Sequence, residues 1–388
     1  MSEPIKKPNQ TIPESYSPKT PKLINMMEQA GKTHNKVVTT ENGAYIDSVP
    51  PIGWGEWREC TYSGCMTLLL NAMGLKATYE QVMGLTGSCY RASMAYGWDP
   101  GSNIVNISYA HLGINSDKNA NRHYGIDDKP IDMDKTTEEE REEMARESIN
   151  AGVPVLVLGS RGPAEWGVLL GYEKSPDCFK YFGRSYFDNE YYDYVAAANE
   201  IFTDNKYVLA CNFPKKERQM FWGKLFNNSC EPTPALDALR VSLETCLEMF
   251  KPHEKFGYGA YDKMIQGFEN NKFKRDWGSD DNSRDGDVGS IIRNLIDSRR
   301  AAYIYLTESA GLLPDENKSK LMTVSLLYKD MFGTLQNVVP YEELCHDFDR
   351  NAMTEETRIN FVIALRKCKE LEYKAHDIIK NILDNWKD

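Results

Sequence analysis

Cys60 stands in the segment WRECTYSGCMTLLLNAMG, residues 57–74, followed by small residues and then a run of Leu and Met. Apolar spacing through Cys65, Thr67, Leu68, Leu69 and Met73 predicts a buried helix that opens near Cys60 and stops at Gly74. A cysteine at that position meets the positive end of the helix dipole, which favours the thiolate. The free N–H groups of the first turn can also hold an oxyanion formed by attack on a carbonyl. The chemistry on offer is therefore nucleophilic acyl chemistry, with Cys65, more than a turn further in, expected to be inert. Spacing alone equally allows Cys60 to be a small buried apolar residue.

Partners for such a thiol are few. Glu165, in GPAEWGVLLGY, immediately precedes an apolar run, and Arg58 lies two residues before Cys60. An ionised carboxylate disfavours a nearby thiolate by like-charge repulsion, so Glu165 cannot simply do the work of an imidazolium. Beside Trp166, an apolar setting would favour its neutral acid, able to take a proton from one group and return it to another. Arg58 would offset a carboxylate or bind a phosphate. His111 in SYAHLGI and His123 in NRHYGI are substitute bases if the fold brings either to Cys60. Tyr90, Arg91, Tyr96 and Trp98, within residues 81–102, read either as a cleft wall for an aromatic or extended acyl chain or as packed core; Trp166 joins them as a candidate substrate contact.

Metal chemistry has no support: the six histidines never form HxxxH or HExxH, and no CxxC occurs among the nine cysteines. An odd number of cysteines spread along the chain also argues against a disulfide framework. The loop SDDNSRDGD resembles a calcium loop, but the twelfth position from Asp281 is Ile292 where a bidentate Glu is needed. GYGAYDK, from residue 257, lacks the preceding strand of a nucleotide-binding turn.

The elements that must position these residues fall into two textures. VPVLVLG at 153–159, WGVLLGY at 166–172, CFKYFGRSYFD at 178–188 and YVLACNF at 207–213 are short, apolar or aromatic, and read as strands. A helix is expected over 136–151, its first turns acidic as the dipole prefers. Beyond about residue 230, helical periodicity covers 234–250, 258–270, 287–312, 316–337 and 354–386. The expected organisation is α+β: an N-terminal arm over 1–44, partly disordered because residues 1–22 are Pro-rich and polar, a helix-and-sheet domain over 45–225, and a helical domain over 226–388.

A chain of 388 residues with a net charge of −11 is long enough for real cores and a poor match to phosphate backbones, so nucleic acid is not an expected partner. No apolar run reaches the roughly 18 residues of a membrane helix, and no signal-peptide stretch opens the chain, so the cytoplasm is the expected compartment.

The cysteine opening a buried helix, the Leu/Met run closing in Asn-x-x-Gly, and later Gly-x-Pro-Val and Trp-Gly-Val-x-x-Gly-Tyr resemble papain-like cysteine peptidases of the branch related to bacteriocin-leader processing. With a helical C-terminal part carrying AYDKMIQGFE and LIDSRRAAYIYL, the whole is most similar to the butirosin-biosynthesis acyltransferase group. The resemblance implies a papain-like fold and Cys60 as nucleophile. It puts Glu165 at the position of the catalytic histidine and Asp188 as the third member that orients it. The family's histidine is thus replaced, and its upstream oxyanion glutamine is absent from GWGEWRE. Activity implied by the resemblance is acyl transfer, forming an amide from a carrier-protein thioester in natural-product assembly, with the carrier's phosphopantetheine arm as acyl donor and an amine or peptide as acceptor. Competing expectations are a cysteine peptidase or amidase, and an inactive papain-like binding module. An acidic carrier would need a basic landing patch, for which KKERQ at 215–219 with Lys224 is the candidate.

Overall fold

The computed structural model describes residues 37–47, 49–50, 52–103, 112–131, 135–158, 165–174, 179–186, 208–209, 222–227, 230–276, 286–344 and 353–386. Its architecture is mixed: helices packed on one antiparallel sheet.

The sheet contains β1 (Val37–Thr39), β2 (Gly43–Ile46), β3 (Asp127–Pro130), β4 (Val155–Leu158), β5 (Trp166–Lys174), β6 (Phe179–Ser185), β7 (Val208–Leu209) and β8 (Trp222–Asn227). Strand β5 is its hub. One edge pairs first with β4, Leu158 opposite Trp166, and then with β2, Gly43 opposite Glu173; the other edge runs along β6. Its first six residues are buried, as an apolar run covered on both faces should be. Beyond β4 lie β8 and β3, with Asp128 opposite Phe226 and Lys224 opposite both Pro130 and Leu156.

Helix α1 (Thr61–Ala72) is buried along its whole length, and its Tyr62 ring meets Trp166 of β5 edge-on at 5.2 Å. Gly74 ends it at φ 80°, a conformation that favours glycine. Helix α2 (Tyr79–Leu85) follows at once behind a Thr78–Gln81 capping box, and α3 (Ser116–His123) is capped by the Asn115 side chain. A second capping box, Thr137 with Glu140, opens α4 (Glu138–Asn150). The later helices are α5 (Ala235–Met249), α6 (Tyr258–Asn270), α7 (Val288–Ser309), α8 (Asp315–Gln336) and α9 (Glu355–Asp384).

Helix α7 joins the two halves of the chain. It packs on α2, where Gly84 lets the Tyr305 ring approach to 2.2 Å from where a Cβ would stand. One continuous apolar core runs from Ile46 to Ile382. Residue 225 lies inside β8, so the sheet reaches across the expected boundary there. Residues 37–39 and 43–46, expected mostly in an N-terminal arm, are strands of the same sheet. No helix among the described residues is long and apolar enough to cross a membrane.

Candidate functional site

The N-terminus of α1 gathers the charged and nucleophilic groups. Cys60 is its N-cap, with extended backbone, and its carbonyl accepts the Gly64 N–H at 3.0 Å. The thiol donates to Ser63 Oγ at 3.4 Å instead of capping the helix, and the residue is only 3% exposed. The N–H groups of Thr61, Tyr62 and Ser63 have no acceptor inside the helix, so this end keeps its donors and its positive potential. The Thr61 hydroxyl donates to Glu165 Oε2 at 2.7 Å, bringing a carboxylate from 104 residues away to the turn that Cys60 opens. Glu165 is half-buried at the start of β5.

Behind Cys60 lies a buried polar network drawn largely from α7. The Cys60 N–H donates to the Tyr79 hydroxyl at 3.0 Å, and that hydroxyl donates to Asp297 Oδ2 at 2.6 Å. The same carboxylate oxygen accepts the Glu59 N–H at 3.0 Å. Glu59 is itself buried: it accepts from the Gly55 N–H at 2.9 Å and from Arg293 Nε at 2.6 Å, and forms a short bond with the Tyr341 hydroxyl. Tyr341 also accepts the Trp57 N–H at 3.0 Å and stacks on its ring at 3.8 Å. Arg300 closes the group, donating to the Trp57 carbonyl at 2.8 Å and pairing with Glu80 and Asp297.

The electrostatics follow from this enclosure. Burial, reinforced by Asp297 and Cys60, pushes the Tyr79 hydroxyl well above the usual tyrosine range, so it keeps its proton and donates it to Asp297. Burial also raises the Glu59 carboxyl, against the pull of Arg293 and the Tyr341 hydroxyl. Glu56, nearby in sequence, is raised by burial and held back by Arg58. Arg58 also acts on Tyr186, whose hydroxyl lies 2.0 Å from where a Cβ on Gly64 would stand.

The other candidates scatter. Trp166 is fully buried against Tyr62. Tyr90 is closed in the core with its hydroxyl 3.3 Å from Ser242 Oγ, and Trp98 is buried edge-on to Phe268 and Phe273; the cleft-wall expectation gives way to core for both, because protein already covers their rings. Arg91 is buried beside α7. His123 sits at the end of α3 with Nδ1 3.3 Å from the Thr233 carbonyl, and burial lowers its pKa. Asp188, His111 and residues 215–219 lie outside the described residues. Lys224, expected in a surface patch, is instead buried between Asp117 and Asp128, the latter at 2.9 Å. Two carboxylates hold it, so it offers no charge to a partner. Among the described residues no hydrogen bond joins Cys60 to a histidine, and none holds a cluster of metal-ligating side chains.

Sequence reasoning missed the α7 network. A signal was present in IIRNLIDSRRAA, residues 291–302: Arg293, Asp297 and Arg300 recur at helical spacing and form a charged stripe on a helix that is otherwise largely buried. Comparison with known protein families, with curated proteins and with solved structures gave no match.

Proposed function

We propose that the chain is a cysteine-dependent acyltransferase of papain-like build, which forms an amide bond by passing an acyl group through Cys60. The observation that carries this is the 2.7 Å bond from Thr61 to Glu165. It sets a carboxylate beside the helix end that Cys60 opens, where the family resemblance expects a base. In the first half-reaction the Cys60 sulfur attacks the carbonyl of a carrier-bound thioester; a new C–S bond forms as the old one breaks, and the pantetheine thiol leaves with the proton given up by Cys60. In the second, an amine nitrogen attacks the acyl-Cys60 carbonyl, the C–S bond breaks, and Glu165 carries the amine proton to the departing sulfur. Thioester exchange needs no strong acid for its leaving group, which fits a base that is not histidine. The Thr61, Tyr62 and Ser63 N–H groups supply oxyanion stabilisation, since the Cys60 N–H is already given to Tyr79.

Intact-mass spectrometry after exposure to acyl-pantetheine thioesters tests the proposal. An acyl adduct on the wild type that is absent from Cys60→Ala, and discharged by added amine, is the expected result. A second possibility, a papain-like binding module, draws on the enclosure of the thiol and on the Tyr79 bond. It predicts a folded protein with no adduct for any donor, carrier-bound ones included. A peptidase would instead hydrolyse a peptide panel.

A further inference from the structure

Thr61 departs from the pattern set by other threonines in these helices. The hydroxyls of Thr67 in α1, Thr245 in α5, Thr307 in α7 and Thr323 in α8 each donate to the carbonyl four residues earlier, at between 2.7 and 3.0 Å. That is the local bond a helical threonine makes most readily. The carbonyl four residues before Thr61 belongs to Trp57, outside the helix, and it receives Arg300 Nη2 at 2.8 Å. Thr61 donates instead across the fold, to Glu165 Oε2 at 2.7 Å.

We propose that Thr61 is a positioning residue, holding Glu165 over acyl-Cys60 for the amine-transfer half-reaction; this rests on the acyl-transfer reading of Cys60. Thr61 is the first residue of α1, and its Cα–Cβ bond tilts toward the helix N-terminus, so its hydroxyl draws the carboxylate to the end where Cys60 lies. The Glu165 backbone is set by β5, whose next residue, Trp166, is fully buried, opposite Leu158 and edge-on to Tyr62. The half-buried carboxylate stands at the end of a flexible side chain, and a charge-assisted hydrogen bond restricts it. The positive end of α1 favours the ionised form, which is the one that accepts a proton.

The two half-reactions make different demands on Glu165. It takes no part when the Cys60 sulfur attacks the carrier thioester and the pantetheine thiol departs. When the amine attacks, a C–N bond forms and the C–S bond breaks; Glu165 takes the proton from nitrogen and hands it to the Cys60 sulfur. Loss of positioning therefore falls on the second half-reaction, whereas a general distortion of the α1 terminus slows both.

The test times the two half-reactions separately on the full chain. Acetyl-, benzoyl- and octanoyl-pantetheine serve as donors, with adduct growth followed by intact-mass spectrometry. Once donor is removed, discharge by glycinamide and by ethylamine is timed in the same way. Thr61→Val, close in shape but without the hydroxyl, should slow discharge roughly tenfold or more, within what a positioned general base supplies, and acylation far less. Thr61→Ser, which keeps the donor, should stay within roughly threefold of the wild type in both steps. In a Glu165→Gln background discharge is already slow, and adding Thr61→Val should slow it little further, because Thr61 acts through that carboxylate. Equal slowing of both steps by Thr61→Val, or full additivity with Glu165→Gln, overturns the proposal and leaves acyl transfer standing. No adduct on the folded wild type with any donor overturns the acyl-transfer reading and this proposal with it. If Thr61→Val does not fold, Thr61→Ala takes its place under the same criteria.

Discussion

Tyr79 accepts the backbone N–H of Cys60 at 3.0 Å while donating its own proton to Asp297. One hydroxyl thus ties the N-cap of α1 to a carboxylate on α7. Tyr79→Phe removes an acceptor and a donor together and leaves buried polar groups short of partners, at a cost of about 1–3 kcal/mol. Urea unfolding of the variant against the wild type measures it, and an unchanged midpoint would show that the bond carries no weight. Under acyl transfer the variant also frees the Cys60 N–H for the oxyanion, so acylation should persist in whatever fraction stays folded.

The Glu59–Arg293 pair is buried at both ends. Truncating Arg293 to Met strands the carboxylate, and loss of one partner of such a pair costs roughly 3–5 kcal/mol. Glu59→Gln with Arg293→Met should recover part of that loss, since no charge is then left unpaired. A double-mutant cycle in urea reads the coupling; strict additivity of the two single changes would contradict the pairing.

Cysteine footprinting separates enclosed thiols from open ones. Cys230 is exposed, whereas Cys60, Cys65, Cys89, Cys246 and Cys368 are buried. Brief iodoacetamide treatment of the native protein, mapped by peptide mass spectrometry, should mark Cys230 first among these six. Burial pushes the Cys368 thiol up to about 12, which adds to its inertness. Early labelling of Cys60 would mean that its cover opens readily, and would favour the nucleophile over the binding module.

His376 gives the fold a pH signature. It lies on α9 with Nδ1 2.5 Å from the Tyr258 hydroxyl of α6 and Nε2 3.4 Å from Glu372. Burial works against its charge, but Cys246 of α5 and the Glu372 carboxylate outweigh it and hold its pKa up at about 10. A histidine raised above its unfolded value of about 6.5 contributes stability that is complete below that pH and is lost as pH climbs through the folded value. The stability advantage of the wild type over His376→Asn should accordingly shrink between pH 6.5 and 10. Urea midpoints at three pH values check this, and a gap that widens with pH would reverse the assignment.

Much of the fold was legible because it is periodic. The helix at residues 258–270 agrees with its predicted bounds, and α1 begins one residue after Cys60. Strands β4, β5 and β6 announce themselves as apolar or aromatic runs. Strands β3 and β8 do not: DDKP and WGKLFN carry charges whose place inside makes sense only once Lys224 meets Asp117 and Asp128. At the site, Cys60 was legible from local spacing and the presence of Glu165 at the same helix end came from the family resemblance. The Glu59 network was not, because its partners lie 234 and 282 residues further on, and no local pattern encodes which helix will arrive.

That separation has a consequence during synthesis. Glu59 takes its hydrogen-bond partner Asp297 from 238 residues downstream. At about 5–20 residues per second, a ribosome adds that much chain in roughly 12–48 s. Through that interval the nascent chain carries Cys60 with no Asp297 to hold Tyr79 and no Arg293 to neutralise Glu59. The polar network behind the thiol therefore closes only once α7 has been made and has docked.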